Sequence, residues 1–173
     1  APVQLEKAIQ YANSSILSKT LIDPSLKGMG TTVSMVTLAR HMAFWGHVGD
    51  SRIYLYRDGE FKQISVDHTI VQVLLEKGKI TEEEAMDHPQ RHVLTRAVGV
   101  DENLVVDSGA FEVQPKDRIL ICSDGLTSFI QKQELYDAIG DYRRTEREII
   151  NDLFARVYEN GAKDNITAIL TTI

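Results

Sequence analysis

The sequence predicts an α+β fold in which antiparallel strands and helices fall in separate blocks. Three observations carry that reading. Residues 43–64 are rich in β-branched and aromatic side chains and read as a central meander of three short strands. Tight turns at Gly49-Asp50-Ser51 and Asp58-Gly59 join them. Arg118-Ile119-Leu120-Ile121-Cys122 is a near-continuous apolar run, the pattern of a buried central strand. Two capping boxes, Thr81-Glu82-Glu83-Glu84 and Thr145-Glu146-Arg147-Glu148, open helices away from those strands.

In chain order, Leu5, Ala8, Ile9, Ala12 and Ile16 recur at helical spacing and predict an amphipathic helix over 3–18, with Pro2 where a helix start tolerates it. Asp23-Pro24-Ser25 is a loop, and a β-type run follows over 31–39. Arg40-His41 turns the chain into the meander. Its second turn, Asp58-Gly59, is the pair a type I′ hairpin prefers. Ile70, Val71, Leu74 and Leu75 mark a short helix that Gly78 ends; the helix opened by Thr81 stops before His88-Pro89. Short helices inserted between strands are expected to form a mobile cover over a site. Strands resume over 104–112 and at Arg118, and a short helix covers Lys132–Ile139. The helix after Thr145 places Ile149, Ile150, Leu153, Phe154 and Val157 on one face and closes at Gly161. Residues 166–173 form the last strand.

Length and composition narrow the function. At 173 residues the chain fits one domain with a real core. A net charge of −6 with no basic block argues against a nucleic-acid partner. One cysteine, Cys122, cannot form an internal disulfide, so a reducing cytoplasm is the expected location. Ala1-Pro2-Val3-Gln4 has neither a basic nor an apolar signal region, and no apolar run approaches the ~20 residues that span a bilayer.

Three acids share a context. Asp50, Asp124 and Asp164 each lie where a strand meets a turn, and central strands of one sheet present their ends close together. Carboxylates and water are the ligands magnesium and manganese prefer. Gly125 would allow close approach to such a metal. Asp and Gly are also ordinary turn residues, and Asp58-Gly59 has the same composition with the hairpin as its full explanation. Other chemistries fit less well. His88 and His92 are four apart, but Pro89 lies between them and no third zinc ligand is near; there is no Gly-x-Ser-x-Gly elbow, and Cys122 sits in an apolar run.

Taken together, Gly28-Met29-Gly30-Thr31-Thr32, the run from Gly46 through Asp50 to Gly59, Asp67-His68, Val93-Leu94-Thr95-Arg96-Ala97-Val98-Gly99, Asp117 through Ser123-Asp124-Gly125, and Lys163-Asp164-Asn165 resemble, in order, motifs of the bacterial type 2C metal-dependent protein phosphatases. The resemblance implies a β-sandwich of two antiparallel sheets flanked by helices. It implies one domain over 1–173 with a flap at 66–98. Asp124 and Asp164 would bind a catalytic Mg²⁺ or Mn²⁺ pair, with Asp50 helping to hold a third, weaker ion. The reaction implied is hydrolysis of phosphoserine and phosphothreonine in proteins, targets of a Ser/Thr kinase, by a metal-activated water.

The family also carries an early Asp-Gly-Met-Gly-Gly-type motif whose Asp bridges both metals. Here Lys27-Gly28-Met29-Gly30 has Lys in place of that Asp, and Thr31-Thr32 marks it as the next family element. The expectation is an N-terminally incomplete domain, weakly active or inactive by itself. The alternative is a catalytically inactive phosphatase-like binding or regulatory module.

Overall fold

A computed structural model, describing residues 2–162 and 164–173, has the α+β organisation, with two antiparallel sheets and seven β-strands. The chain divides into two compact units. The first runs to Asp50 and resumes over Val66–Phe111; the second holds Ser51–Ser65 and Glu112–Ile173.

In the first unit, helix α1 spans Pro2–Ile22 and runs past the end expected at residue 18. Its inner face buries Leu5, Ile9 and Asn13, whereas Leu21 and Ile22 are exposed. The last turn therefore has no inward apolar stripe, which is why periodicity missed it. Asn13 pins the helix: its Nδ2 donates to Asp101 O at 2.7 Å, and its Oδ1 accepts from Gly99 N at 2.6 Å. The Asp23 loop closes as a short 3₁₀ turn, Pro24–Leu26. Strands β1 (Val33–Ala39) and β2 (Met42–Val48) pair through a two-residue turn with Arg40 at φ 55°. Strand β5 (Asp107–Glu112) lies on the other side of β2. Gly46 lets α1 approach β2 closely; a Cβ there would lie 3.1 Å from Ile9 Cδ1. Ile9, Val48, Val98 and Leu104 form this unit's core. Leu104 is thus buried but lies outside the strand expected from 104. Helices α2 (Ile70–Glu76) and α3 (Glu82–Met86) are capped by Thr69 and Thr81, the second with its full capping box.

The second unit is a sheet in the order β4-β3-β6-β7, from β3 (Arg52–Arg57), β4 (Glu60–Gln63), β6 (Arg118–Cys122) and β7 (Ala168–Thr172). Asp58 and Gly59 both take positive φ, 48° and 82°, as a type I′ turn requires. Helices α4 (Asp124–Thr127), α5 (Lys132–Ile139) and α6 (Glu146–Glu159) belong to this unit. Ile149, Leu153 and Val157 on α6 join Leu120 and Leu135 in its core. Tyr54 and Tyr56 are buried there too, so these tyrosines supply the core face of β3.

The expected meander is corrected at its first turn. β2 pairs with β1 and β5, whereas β3 pairs with β4 and β6 in the other sheet. Alternation shows that a run is a strand and leaves open which strand it pairs with. No helix among the described residues is long and apolar enough to cross a membrane.

One ion pair locks the start of β6. Asp117, 1% exposed, accepts from Arg57 Nε at 2.8 Å, Arg57 Nη2 at 2.6 Å and Gln114 N at 2.8 Å. Burial raises its pKa, but the bonds from Arg57 and Gln114 outweigh burial and leave it below the usual range. Arg57→Met removes the cation and leaves a buried carboxylate, so we expect a loss of about 2–3 kcal/mol in urea unfolding. An unchanged midpoint would mean the pair contributes nothing.

Candidate metal centre

The three aspartates take different local roles. Asp124 is the first residue of α4, half-buried, and its carbonyl accepts from Ser128 N at 2.8 Å. Asp164 is exposed in the loop before β7, where its Oδ1 accepts from Asn165 N at 2.7 Å. Asp50 is half-buried in the bend after β2 and belongs to the first unit.

Within the second unit, the loops bearing Asp124 and Asp164 adjoin. Cys122 pairs with Ala168 at the end of the β6–β7 ladder. One residue further on, Ser123 N donates to Thr167 O at 2.9 Å, and Ser123 Oγ accepts from Thr167 N at 3.1 Å. Beyond that, the Asn165 carbonyl oxygen would lie 2.3 Å from a Cβ at residue 125. Glycine at 125 is therefore required by the Asn165 backbone. The β6–α4 turn and the loop before β7 are thus bound by two hydrogen bonds and one close backbone approach.

The donors are carboxylates, which suit a hard divalent cation such as Mg²⁺ or Mn²⁺. Among the described residues, no group of three or more His, Cys, Asp or Glu side chains comes together as a metal site. Lys163, part of the expected Lys163-Asp164-Asn165 motif, lies outside the described residues, as does Ala1. Lys27 is exposed at the end of the 3₁₀ turn. The carboxylates are thus of the chemical kind a hard cation takes, and among the described residues they are not gathered into a set of three or more.

Around Asp50 lies a network that sequence reading missed. His68 N donates to Gly49 O at 2.8 Å, and Gly49 N donates back to His68 Nδ1 at 3.1 Å. His68 Nε2 lies 3.0 Å from Asp107 Oδ2, and Arg96 Nη1 donates to Asp107 Oδ1 at 2.6 Å. Gly49 itself has φ 113° and packs on Thr32, whose Cγ2 would lie 2.3 Å from a Cβ there. The fully buried His47 ring stands 4.8 Å from that of His68. Its Nδ1 lies 2.9 Å from Ser34 Oγ and its Nε2 3.1 Å from Val66 O. The carbonyl can only accept, so Nε2 carries the proton and Nδ1 accepts from the hydroxyl. Burial first, and then His68, push the His47 pKa down to about 4. Asp107 also stays below the usual range, because the bonds from His68 and Arg96 outweigh its burial. The partners are 39 and 11 residues apart, and the Asp67-His68 pair carries no spacing signal that would have found them.

Comparison with known proteins follows the same lines. A profile of the protein phosphatase 2C family matches residues 2–171. A serine/threonine phosphatase of Listeria monocytogenes is 36% identical over 166 residues, covering 96% of this chain; the chain spans 66% of that relative's length. The crystal structure of the Mycobacterium tuberculosis serine/threonine phosphatase PstP superposes with a TM-score of 0.92 at 35% identity, over 99% of this chain and 72% of that one. A structure of the PstP catalytic domain in complex with two manganese ions gives a TM-score of 0.85 at 34% identity, over 97% of this chain and 69% of that one.

Two outcomes are expected from this geometry. Gly125→Ala should force the Asn165 backbone away and cost about 1–3 kcal/mol. It should also raise hydrogen exchange at the Thr167 amide; unchanged exchange there would show the loops are not held by this contact. For His47, the unfolded state binds the proton more tightly than the folded state. Stability should therefore fall as pH drops from about 6.5 to about 4, by up to about 3 kcal/mol. His47→Gln should flatten that window in urea titrations; an identical pH slope in the variant would assign the acid loss elsewhere.

Proposed function

Because the chain belongs to the protein phosphatase 2C family, we propose that it works in a metal-dependent protein serine/threonine phosphatase. The proposed substrates are phosphoserine and phosphothreonine in proteins, placed there by a Ser/Thr kinase. Asp124 and Asp164 are the proposed holders of the catalytic ions, Mg²⁺ or Mn²⁺, and Asp50 of a third, weaker ion. A divalent pair supplies Lewis acidity, making a water more acidic and offsetting charge on the phosphoryl oxygens.

The observation that carries this reading is the junction of two loops. Ser123, Gly125, Asn165 and Thr167 hold the backbones on which Asp124 and Asp164 stand. Two carboxylates on adjoining loops are the donor type a hard divalent cation takes. The two-manganese complex of the PstP catalytic domain supports the choice of metal. In the first unit, residues 66–98 are the proposed flap, with α2 and α3 as their helical parts. The single buried Cys122 suits a reducing compartment, and the proposed location is the cytoplasm.

The test is manganese binding by the 173-residue chain, followed by water-proton relaxation, beside Asp124→Asn and Asp164→Asn. Each substitution should weaken binding at least tenfold. Binding equal to that of the parent chain in both would overturn the assignment. The bridging Asp of the family's early motif has no counterpart at Lys27, so phosphopeptide turnover by these 173 residues with manganese should be slow. A rate typical of enzymes, about 1–10³ s⁻¹, would contradict that.

A further inference from the structure

We propose that His68 is a positioning residue for Asp50: through both of its hydrogen bonds to Gly49 it sets the bend on which the Asp50 carboxylate stands. The inference rests on the reading of Asp50 as a cation ligand, and it concerns what holds that ligand in place.

The geometry is reciprocal. A backbone N–H can only donate, so the bond from Gly49 N fixes His68 Nδ1 as an acceptor. The ring proton is then on Nε2, which gives it to Asp107 Oδ2. Arg96 Nη1 donates to Asp107 Oδ1 at 2.6 Å, which fixes the acceptor of that proton, and the same Nη1 lies 3.0 Å from His68 Nε2; with Nε2 as a donor, that second approach is a close contact and not a hydrogen bond. The main chain of His68 repeats the attachment: its N–H donates to Gly49 O, and its carbonyl accepts from Thr95 N at 2.8 Å. Gly49 is thus bonded through both its N–H and its C=O to one residue. Gly49 also sits at φ 113° against Thr32, where no side chain fits. Glycine reaches that region of backbone space without steric cost but is free to leave it, so the bend keeps one geometry only through its partners. His68 supplies two of them, one peptide unit before Asp50.

The arrangement parallels the outer partners of metal ligands in general, which fix orientation and change affinity about 10–100-fold when removed. Here the outer partner acts on the backbone beside the ligand. The ordered series is Arg96, Asp107, His68, Gly49 and then Asp50, all within the first unit. It ties the Arg96 segment and β5 to the Asp50 bend.

Two variants separate positioning from packing. His68→Asn keeps an oxygen acceptor near the place of Nδ1 and loses the arm to Asp107. His68→Gln keeps a donor near the place of Nε2 and loses the acceptor for Gly49 N. The experiment is ¹⁵N-labelled NMR of the 173-residue chain titrated with Mn²⁺, reading paramagnetic broadening of the amides at 49–51. His68→Gln should need at least tenfold more Mn²⁺ for the same broadening, and His68→Asn less than threefold more. In the parent chain, a scalar coupling across the Gly49 N–H to His68 Nδ1 hydrogen bond should show Nδ1 as the acceptor. Asp50→Asn serves as the control and should abolish the broadening. If Asp50→Asn broadens like the parent, the reading of Asp50 as a ligand fails and takes the proposal with it. If Asp50→Asn abolishes broadening while His68→Gln matches the parent, the positioning role alone is overturned. Equal weakening in both His68 variants, in proportion to lost thermal stability, would assign His68 to packing and also overturn it.

Discussion

The proposed centre depends on one close approach between backbones. Residue 125 has no side chain, and the carbonyl of Asn165 occupies the space a methyl group would take. Ser123 and Thr167 extend the β6–β7 ladder by one further rung, partly through a side-chain hydroxyl. Together these contacts carry strand order past the end of the sheet and into the two loops. Without them Asp124 and Asp164 would be ordinary turn residues of a well-packed α+β chain. The buried Leu126 on α4 and the core face of α6 hold the turn from below. The proposed chemistry thus stands on rigid strand ends, where a small displacement of a carboxylate has a large effect on ion affinity.

The first unit follows the same logic with different parts. Its bend at Gly49 is held by the buried His68 and by the reciprocal bonds between the two residues. Polar groups in this region are paired with care: His47 sits between a hydroxyl and a carbonyl, and Asp107 between an imidazole and a guanidinium. Buried polar networks that are fully satisfied specify one arrangement, and half-satisfied ones are costly. Asn13 and the Arg57–Asp117 pair do comparable work at α1 and at the start of β6. Family membership is consistent with this economy, since the fold is shared with phosphatase structures at TM-scores up to 0.92 among those described above.

Much of the fold was legible in the sequence because its signals are local. Thr81 and Thr145 formed the capping boxes expected of them, and Asp58-Gly59 formed the expected type I′ turn. The apolar run ending at Cys122 became a central strand. Pairing was harder to read, because alternation in residues 43–57 looks the same whether β3 folds back on β2 or joins another sheet. The core role of Tyr54 and Tyr56 was also hidden, since an aromatic with a polar tip suits either face of a strand. Position at strand–turn junctions singled out the three aspartates that are proposed as ligands, and the motif order supplied the family. The backbone approach that requires glycine at 125 was not legible, because a close approach across forty residues leaves no mark in its own neighbourhood. The His68–Asp107–Arg96 network was invisible for the same reason.

The most direct measurement is a crystal of the chain soaked in Mn²⁺, with anomalous scattering recorded to locate the ion. The account predicts an anomalous peak in contact with carboxylate oxygens of both Asp124 and Asp164, on loops joined as described. A peak that touches neither residue, or density placing the two carboxylates on separated loops, would contradict it.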